Sequence, residues 1–189
     1  MTCDTTKYSF RDGLTSNFPS QLIMDITEIC NLACIHCPHP VFKKSKYYAK
    51  RYLSPELNEK MVHEVRDESE GECKYIRYTS NGEPLVHPHG YKMVKYAVDN
   101  SNTFVCLTTN GTIMNEKKTR QLLDSGIHMI DISLDAYSSK TYSEVRVNGN
   151  LTLTRGNVLR LIDWVRRDNL DTKVIVSFVE QPQNTHEIE

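Results

Sequence analysis

Short apolar runs alternate with helical patterns along most of this chain, and that alternation limits the possible folds more than any other feature. The runs are Leu22–Ile26, Tyr75–Thr79, Thr103–Thr108, His128–Leu134 and Lys173–Val179. A helix is expected to begin at Ser54, an N-cap candidate followed by Pro55 at the first helical position. Leu57, Met61, Val62 and Val65 give it one apolar face. Further helices are expected over His89–Val98, Glu116–Asp124 (ended by Gly126), Ser139–Val145 and Thr154–Asp168. A strand–helix unit repeated about five times predicts an α/β fold, a partial (β/α) barrel with parallel strands. The strands read as mostly apolar, as expected where both faces of a parallel sheet are covered.

Bulk properties narrow the function. The 189 residues suffice for one domain with a substantial core. A net charge of −1 provides no general attraction to nucleic acid or to an anionic membrane. No apolar run approaches the roughly 20 residues of a membrane span. Met1 to Arg11 is polar and lacks the apolar stretch of a secretion signal. A cytoplasmic protein with reduced thiols is therefore expected. Among the six cysteines, Cys106 reads as a small core residue and Cys73 as a loop or strand-start residue, with Cys3 standing apart.

The other three cysteines, Cys30, Cys34 and Cys37, fall in one loop directly after the first apolar run. Such a loop can hold a metal centre: a closed zinc site would need a fourth ligand, whereas an iron–sulfur cube held by three thiolates keeps one iron open. The other strand ends also carry polar or glycine-containing segments. They are Thr79-Ser80-Asn81-Gly82-Glu83-Pro84, Thr108-Thr109-Asn110-Gly111-Thr112 and Ser133-Leu134-Asp135. In α/β folds of this kind chemistry gathers at the C-terminal strand ends.

Read together, these segments resemble the radical S-adenosylmethionine (SAM) superfamily over roughly Leu22 to Asn184. The thiols match its C-x3-C-x2-C signature, Gly82-Glu83-Pro84 its glycine–glutamate–proline motif, and the other two segments its third and fourth strand ends. Cys30-Asn31-Leu32 and the Ser133–Arg146 arrangement look most like the SPASM and twitch branch. The resemblance implies a core domain over residues 21–189 after an extension over residues 1–20, with five of the family's usual six βα units present and the chain cut short at its C-terminus. It implies a [4Fe-4S] cluster on Cys30, Cys34 and Cys37, whose open iron chelates SAM. One electron then releases a 5′-deoxyadenosyl radical that abstracts hydrogen from a peptide, protein or small-molecule substrate. A reductant such as flavodoxin or ferredoxin is implied as partner. For SAM binding, Glu83 is suited to the ligand ammonium, Gly82 to close backbone approach, and Arg146 to the carboxylate through its planar fork. Thr109 and Asn110 are expected to reach the ligand from the third strand; Ser133 and Asp135 share one side of the fourth strand end.

Alternatives stand beside these expectations. A zinc-stabilised structural domain would recruit His36 or His39; otherwise His36 packs near the adenine and His39 is an ordinary loop histidine. A cluster- and SAM-binding module completed by a partner is a second alternative, because the last strand shows one unpaired apolar side. The basic, aromatic stretch Phe42–Tyr52 reads as a solvated loop, a cover over the site, a dock for an acidic electron donor or, least in keeping with the neutral charge, a nucleic-acid patch. Asn184 is expected to cap a helix start.

Overall fold

A computed structural model describes residues 17–188. The expected 1–20 extension lies mostly outside the described residues, as do Met1 to Arg11 and Cys3. Five strands form one sheet: β1 (Gln21–Met24), β2 (Tyr75–Tyr78), β3 (Phe104–Thr109), β4 (Met129–Ser133) and β5 (Lys173–Ser177). Each pairs in parallel with the next, so spatial order equals chain order and every connection is a crossover. The crossovers carry α1 (His39–Phe42), α2 (Pro55–Glu68), α3 (Gly90–Asn100), α4 (Glu116–Leu123), α5 (Ser139–Val145) and α6 (Leu151–Arg167). Short 3-10 turns follow at Pro84–Val86 and Thr185–Glu187. No helix among the described residues is long and apolar enough to cross a membrane.

Local chemistry sets the helix starts. The Ser54 hydroxyl accepts from the Leu57 amide at 3.2 Å, with Pro55 at the first helical position. Asn115, Ser138 and Asn150 cap α4, α5 and α6 in the same way. The Asn150 cap starts α6 three residues before the expected Thr154, because its side chain satisfies the Leu153 amide at 3.0 Å. Asn184 does not cap a helix. Its amide instead donates to the carbonyls of Asp135 and Val179, and only a single 3-10 turn follows.

One sheet face packs on the helices. Met24, Ile76, Tyr78, Val105, Leu107, Ile130 and Ile132 meet Val62, Val65, Met93, Leu122 and Leu161 in one core. Each such aliphatic side chain contributes roughly 1.5–3 kcal/mol on burial. Within it the Tyr78 hydroxyl donates to Asn58 Oδ1 at 2.7 Å, and burial pushes its pKa far up.

The other face departs from the expectation of two apolar faces. Arg77 Nε donates to Thr108 Oγ1 at 3.0 Å, and the same guanidinium pairs with Asp131, which also accepts from Ser177 Oγ. Strand register brings these four residues, from β2 to β5, onto the side opposite the helices. Ile23 and Ile175, on that same side, are 52% and 44% exposed. Among the described residues β5 pairs only with β4, and Val176, Phe178 and Val179 lie exposed along and just beyond it.

Candidate active site

The cysteine loop lies at the C-terminal end of β1, where a parallel sheet exposes strand ends. It is held by backbone hydrogen bonds to distant segments. Ala33 N donates to Val147 O at 3.0 Å and Ile35 N to Val145 O at 3.1 Å, which clips the loop to the C-terminal end of α5. Glu83 N donates to Ile29 O at 2.9 Å, which ties the residue before Cys30 to the end of β2. All three thiols are free, Cys34 buried and Cys30 and Cys37 half-buried.

Each sulfur receives an N–H group. Leu32 N reaches Cys30 Sγ at 3.5 Å, His39 N reaches Cys37 Sγ at 3.4 Å and Arg146 Nη1 reaches Cys34 Sγ at 3.5 Å. Burial pushes the Cys30 thiol up to about 11, with neighbouring Glu83, Cys34 and Cys37 adding to it. Cys34 is also raised by burial, while Arg146 pulls it back. Donors aimed at sulfur favour thiolates, the form that binds iron. The three-thiol donor set therefore fits a cysteine-ligated cluster.

The zinc alternative needs a fourth ligand. His39 is buried rather than a loop residue: its Nε2 bonds Glu28 O at 2.8 Å and its ring meets Phe42 and Tyr48 edge-on. His36 is exposed, 3.9 Å from Asp135. No three His, Cys, Asp or Glu side chains among the described residues converge on a single-ion position.

The segment after β2 makes contacts within the chain. A Cβ at Gly82 would lie 1.8 Å from Thr27 O and 3.0 Å from Ile29 O, so this glycine admits the protein's own backbone. Glu83 is buried. Its Oε1 accepts from Thr109 Oγ1 at 2.6 Å and Leu85 N at 3.1 Å, and its Oε2 from Asn110 N at 2.8 Å. A carboxylate has about four acceptor sites, so about one remains, on Oε2. Burial raises the Glu83 pKa against the pull of these three donors.

Thr109 is spent on Glu83 and on the Gly111 amide. Asn110 Nδ2 donates to Asn31 Oδ1 at 3.0 Å and lies 4.0 Å from Cys30 Sγ, while its oxygen holds Thr112. Asn31 in turn donates to Thr112 Oγ1 at 2.7 Å, so the third strand end is wired to the cysteine loop. Ser133, half-buried at the end of β4, has a hydroxyl without a partner among the described residues. Asp135 lies past the strand and is fully buried. It accepts from Val179 N at 2.8 Å and pairs with Arg146 Nη2 at 2.5 Å. Both terminal nitrogens of the Arg146 fork are thus engaged within the chain.

Three residues contribute contacts that the sequence reading does not assign: Asn31, Arg77 and Asp131. The last two carried a signal, charged residues at strand positions that alternate with apolar ones. Asn31 is visible only as part of Cys30-Asn31-Leu32, since its bonding role depends on a partner 81 residues away.

Comparison with known proteins agrees with this geometry. The AdoMet-dependent heme synthase of Methanosarcina barkeri is 27% identical over 137 residues, covering 69% of this chain and 35% of that protein. The chain thus spans about a third of that relative's length. Among solved structures, BtrN in complex with AdoMet and 2-DOIA superposes with a TM-score of 0.62 at 18% identity, covering 86% of this chain and 58% of BtrN. Streptococcus suis SuiB bound to precursor peptide SuiA gives 0.63 at 14% identity, covering 90% and 36%. These likenesses are to partial barrels and concern the fold alone. The family model described as Radical SAM superfamily matches residues 24–189. With four strand-end motifs on successive parallel strands and three free thiols in the first loop, the chain belongs to the radical SAM superfamily, a family of enzymes.

Proposed function

We propose that residues 21–189 are a radical SAM core that binds a [4Fe-4S] cluster through Cys30, Cys34 and Cys37, with residues 1–20 as an extension. When bound, the cluster supplies the electron that cleaves SAM to a 5′-deoxyadenosyl radical, which takes hydrogen from substrate. The observation that carries this reading is the loop of three free thiols, each with an N–H aimed at sulfur. Ser133 supports SAM binding through its uncommitted hydroxyl, and Glu83 through its remaining acceptor site. Gly82, Thr109, Asn110, Asp135 and Arg146 act in the same site by holding the loop and strand ends in register rather than by touching SAM first.

The substrate is a peptide, a protein side chain or a small molecule; SuiB, solved with a peptide, and BtrN, solved with 2-DOIA, represent both classes. The Arg77–Asp131 pair on the helix-free face offers charged groups to either. A reductant such as flavodoxin or ferredoxin docks on the basic segment after the thiols. Lys43, Lys44, Lys46 and Lys50 are exposed there, and Glu28 anchors the segment through Ala49 N and Arg51 N. Reduced thiols suit the cytoplasm.

Anaerobic reconstitution with iron and sulfide tests the proposal. The parent is expected to gain a broad charge-transfer absorbance that fades on reduction, and to release 5′-deoxyadenosine with dithionite and SAM. Cys34→Ala should lose the cluster. A colourless protein carrying stoichiometric zinc would refute the reading. A cluster that yields no 5′-deoxyadenosine favours the second reading, a binding module completed by a partner, which the exposed apolar edge of β5, paired only with β4 among the described residues, supports.

A further inference from the structure

We propose that Arg146, clamped by Asp135, is a positioning residue that sets the charge around Cys34 and thereby raises the reduction potential of the centre built on it; this rests on the cluster reading above. Arg146 occupies the C-terminal cap of α5, where its amide donates to Tyr142 O at 2.7 Å. The two rungs Ala33–Val147 and Ile35–Val145 bracket it, which sets Cys34 opposite Arg146. Gly149 closes the turn behind it: a Cβ there would lie 2.8 Å from Arg146 O and 2.7 Å from the Tyr142 ring. The arginine therefore has little freedom to leave.

Its environment is unusual for an ion pair serving stability alone. The side chains of Arg146 and Asp135 are 8% and 0% exposed. Asp135 is itself fixed by Val179 N at 2.8 Å and, through its carbonyl, by Asn184 Nδ2 at 2.8 Å. The carboxylate engages one terminal nitrogen of the guanidinium and Nε has no partner among the described residues, while the second terminal nitrogen is directed at Cys34 Sγ, 3.5 Å away. Cys30 and Cys37 receive backbone amides, whereas the donor to Cys34 carries a full positive charge. Hydrogen bonds to sulfur and net local charge are main determinants of cluster potential. A cation against a sulfur ligand favours the state that has gained an electron, because that state is more negative. The buried setting preserves the effect, since little water screens it.

The sign of the effect separates this role from a structural one. Arg146→Gln removes the cation, so reduction becomes harder. Asp135→Asn removes the anion that shares the cation, so reduction becomes easier. Loss of a merely structural pair would shift both variants the same way or neither.

The test is an anaerobic, dithionite-driven redox titration of the reconstituted full chain without SAM, followed by electron paramagnetic resonance, with iron and sulfide counted for each variant. Arg146→Gln is expected to lower the reduction equilibrium constant at least tenfold, equivalent to about 59 mV for one electron. Asp135→Asn should shift it upward, and Arg146→Lys, which keeps the charge, should lie between Arg146→Gln and the parent. Equal potentials in parent and loaded variants overturn the proposal, even if SAM affinity falls in Arg146→Gln, because the arginine then serves the ligand alone. If Arg146→Gln takes up no iron, Asp135→Asn decides: an upward shift supports the proposal and an unchanged or downward one overturns it. A parent that takes up no cluster defeats the underlying reading instead, and is recognised before any variant is compared.

Discussion

Gly82→Ala is the most searching single change, because the three atoms nearest the added methyl are all backbone. The added methyl would sit 1.8 Å from Thr27 O, 2.8 Å from Thr27 C and 3.0 Å from Ile29 O. Carbon–oxygen contacts normally begin near ~3.3 Å, so the two segments must part by roughly 1.5 Å. Neither can yield by rotating a side chain. Thr27 is pinned by its bridge to Tyr52, and its hydroxyl holds the Ile29 amide at 3.0 Å. Separation breaks the 2.9 Å hydrogen bond from Glu83 N to Ile29 O, one residue before Cys30. A lost backbone bond costs about 0.5–1.5 kcal/mol and forced overpacking about 1–3, together about 2–4 kcal/mol. That is a large share of the ~5–15 kcal/mol available to a domain. Urea unfolding of the apo protein, with iron counted per chain after reconstitution, measures both consequences. Gly156→Ala is the control: nothing lies within 4 Å of its Cβ position inside α6, and a gain of roughly 0.5–1 kcal/mol is expected. A Gly82→Ala protein within about 0.5 kcal/mol of the parent, with full iron loading, would refute the close-approach argument.

Other expectations follow from the same contacts. Glu83→Gln has one acceptor oxygen for three donors, so at least one of Thr109 Oγ1, Leu85 N and Asn110 N is stranded; a loss of about 1–3 kcal/mol in thermal or urea unfolding is expected. The same variant probes pH. The folded Glu83 pKa lies above its ordinary 4.5, so the native state binds the extra proton and parent stability falls as pH rises from about 4.5 toward that raised value; Glu83→Gln should lack this slope. Glu28 behaves in the opposite sense. The Arg51 side chain first, then its amide, hold Glu28 down at about 2 from 4.5, so its clasp on residues 49–51 is complete above pH 4.5 and weakens as pH falls toward 2. Amide protection factors of Ala49 and Arg51 should drop over that window, and a flat profile would count against the clasp. Asn150→Ala removes the α6 cap and should cost ~1 kcal/mol in the same unfolding assay.

Much of the architecture was readable because it is written locally. Strand and helix order follows from short apolar runs alternating with stretches of 3.6-residue hydrophobic period. Helix starts follow from capping side chains three residues from the amides they satisfy, as at Ser54. Motif spacing was likewise enough to bring the cysteines, Glu83, Asn110 and Ser133 to strand ends. Asn150 was legible in principle by the same capping rule, but the apolar face drew the boundary to Thr154.

What each polar group does there was decided only in three dimensions. How much of Glu83 is left for a ligand depends on the register of β2 against β3, which sets Thr109 and the Asn110 amide on its oxygens and leaves about one acceptor site. Arg77 and Asp131, 54 residues apart, became a pair because β3 lies between their strands and all three present the same face. Cys34 and Arg146 are 112 residues apart and meet because α5 docks its last turn on the loop. The physical reason is one of range. Periodicity, capping and turn chemistry act over a few residues, and the chain spells them out directly. Which donor reaches which acceptor within about 3 Å depends on sheet register and helix docking, and those are settled by the packing of the whole core.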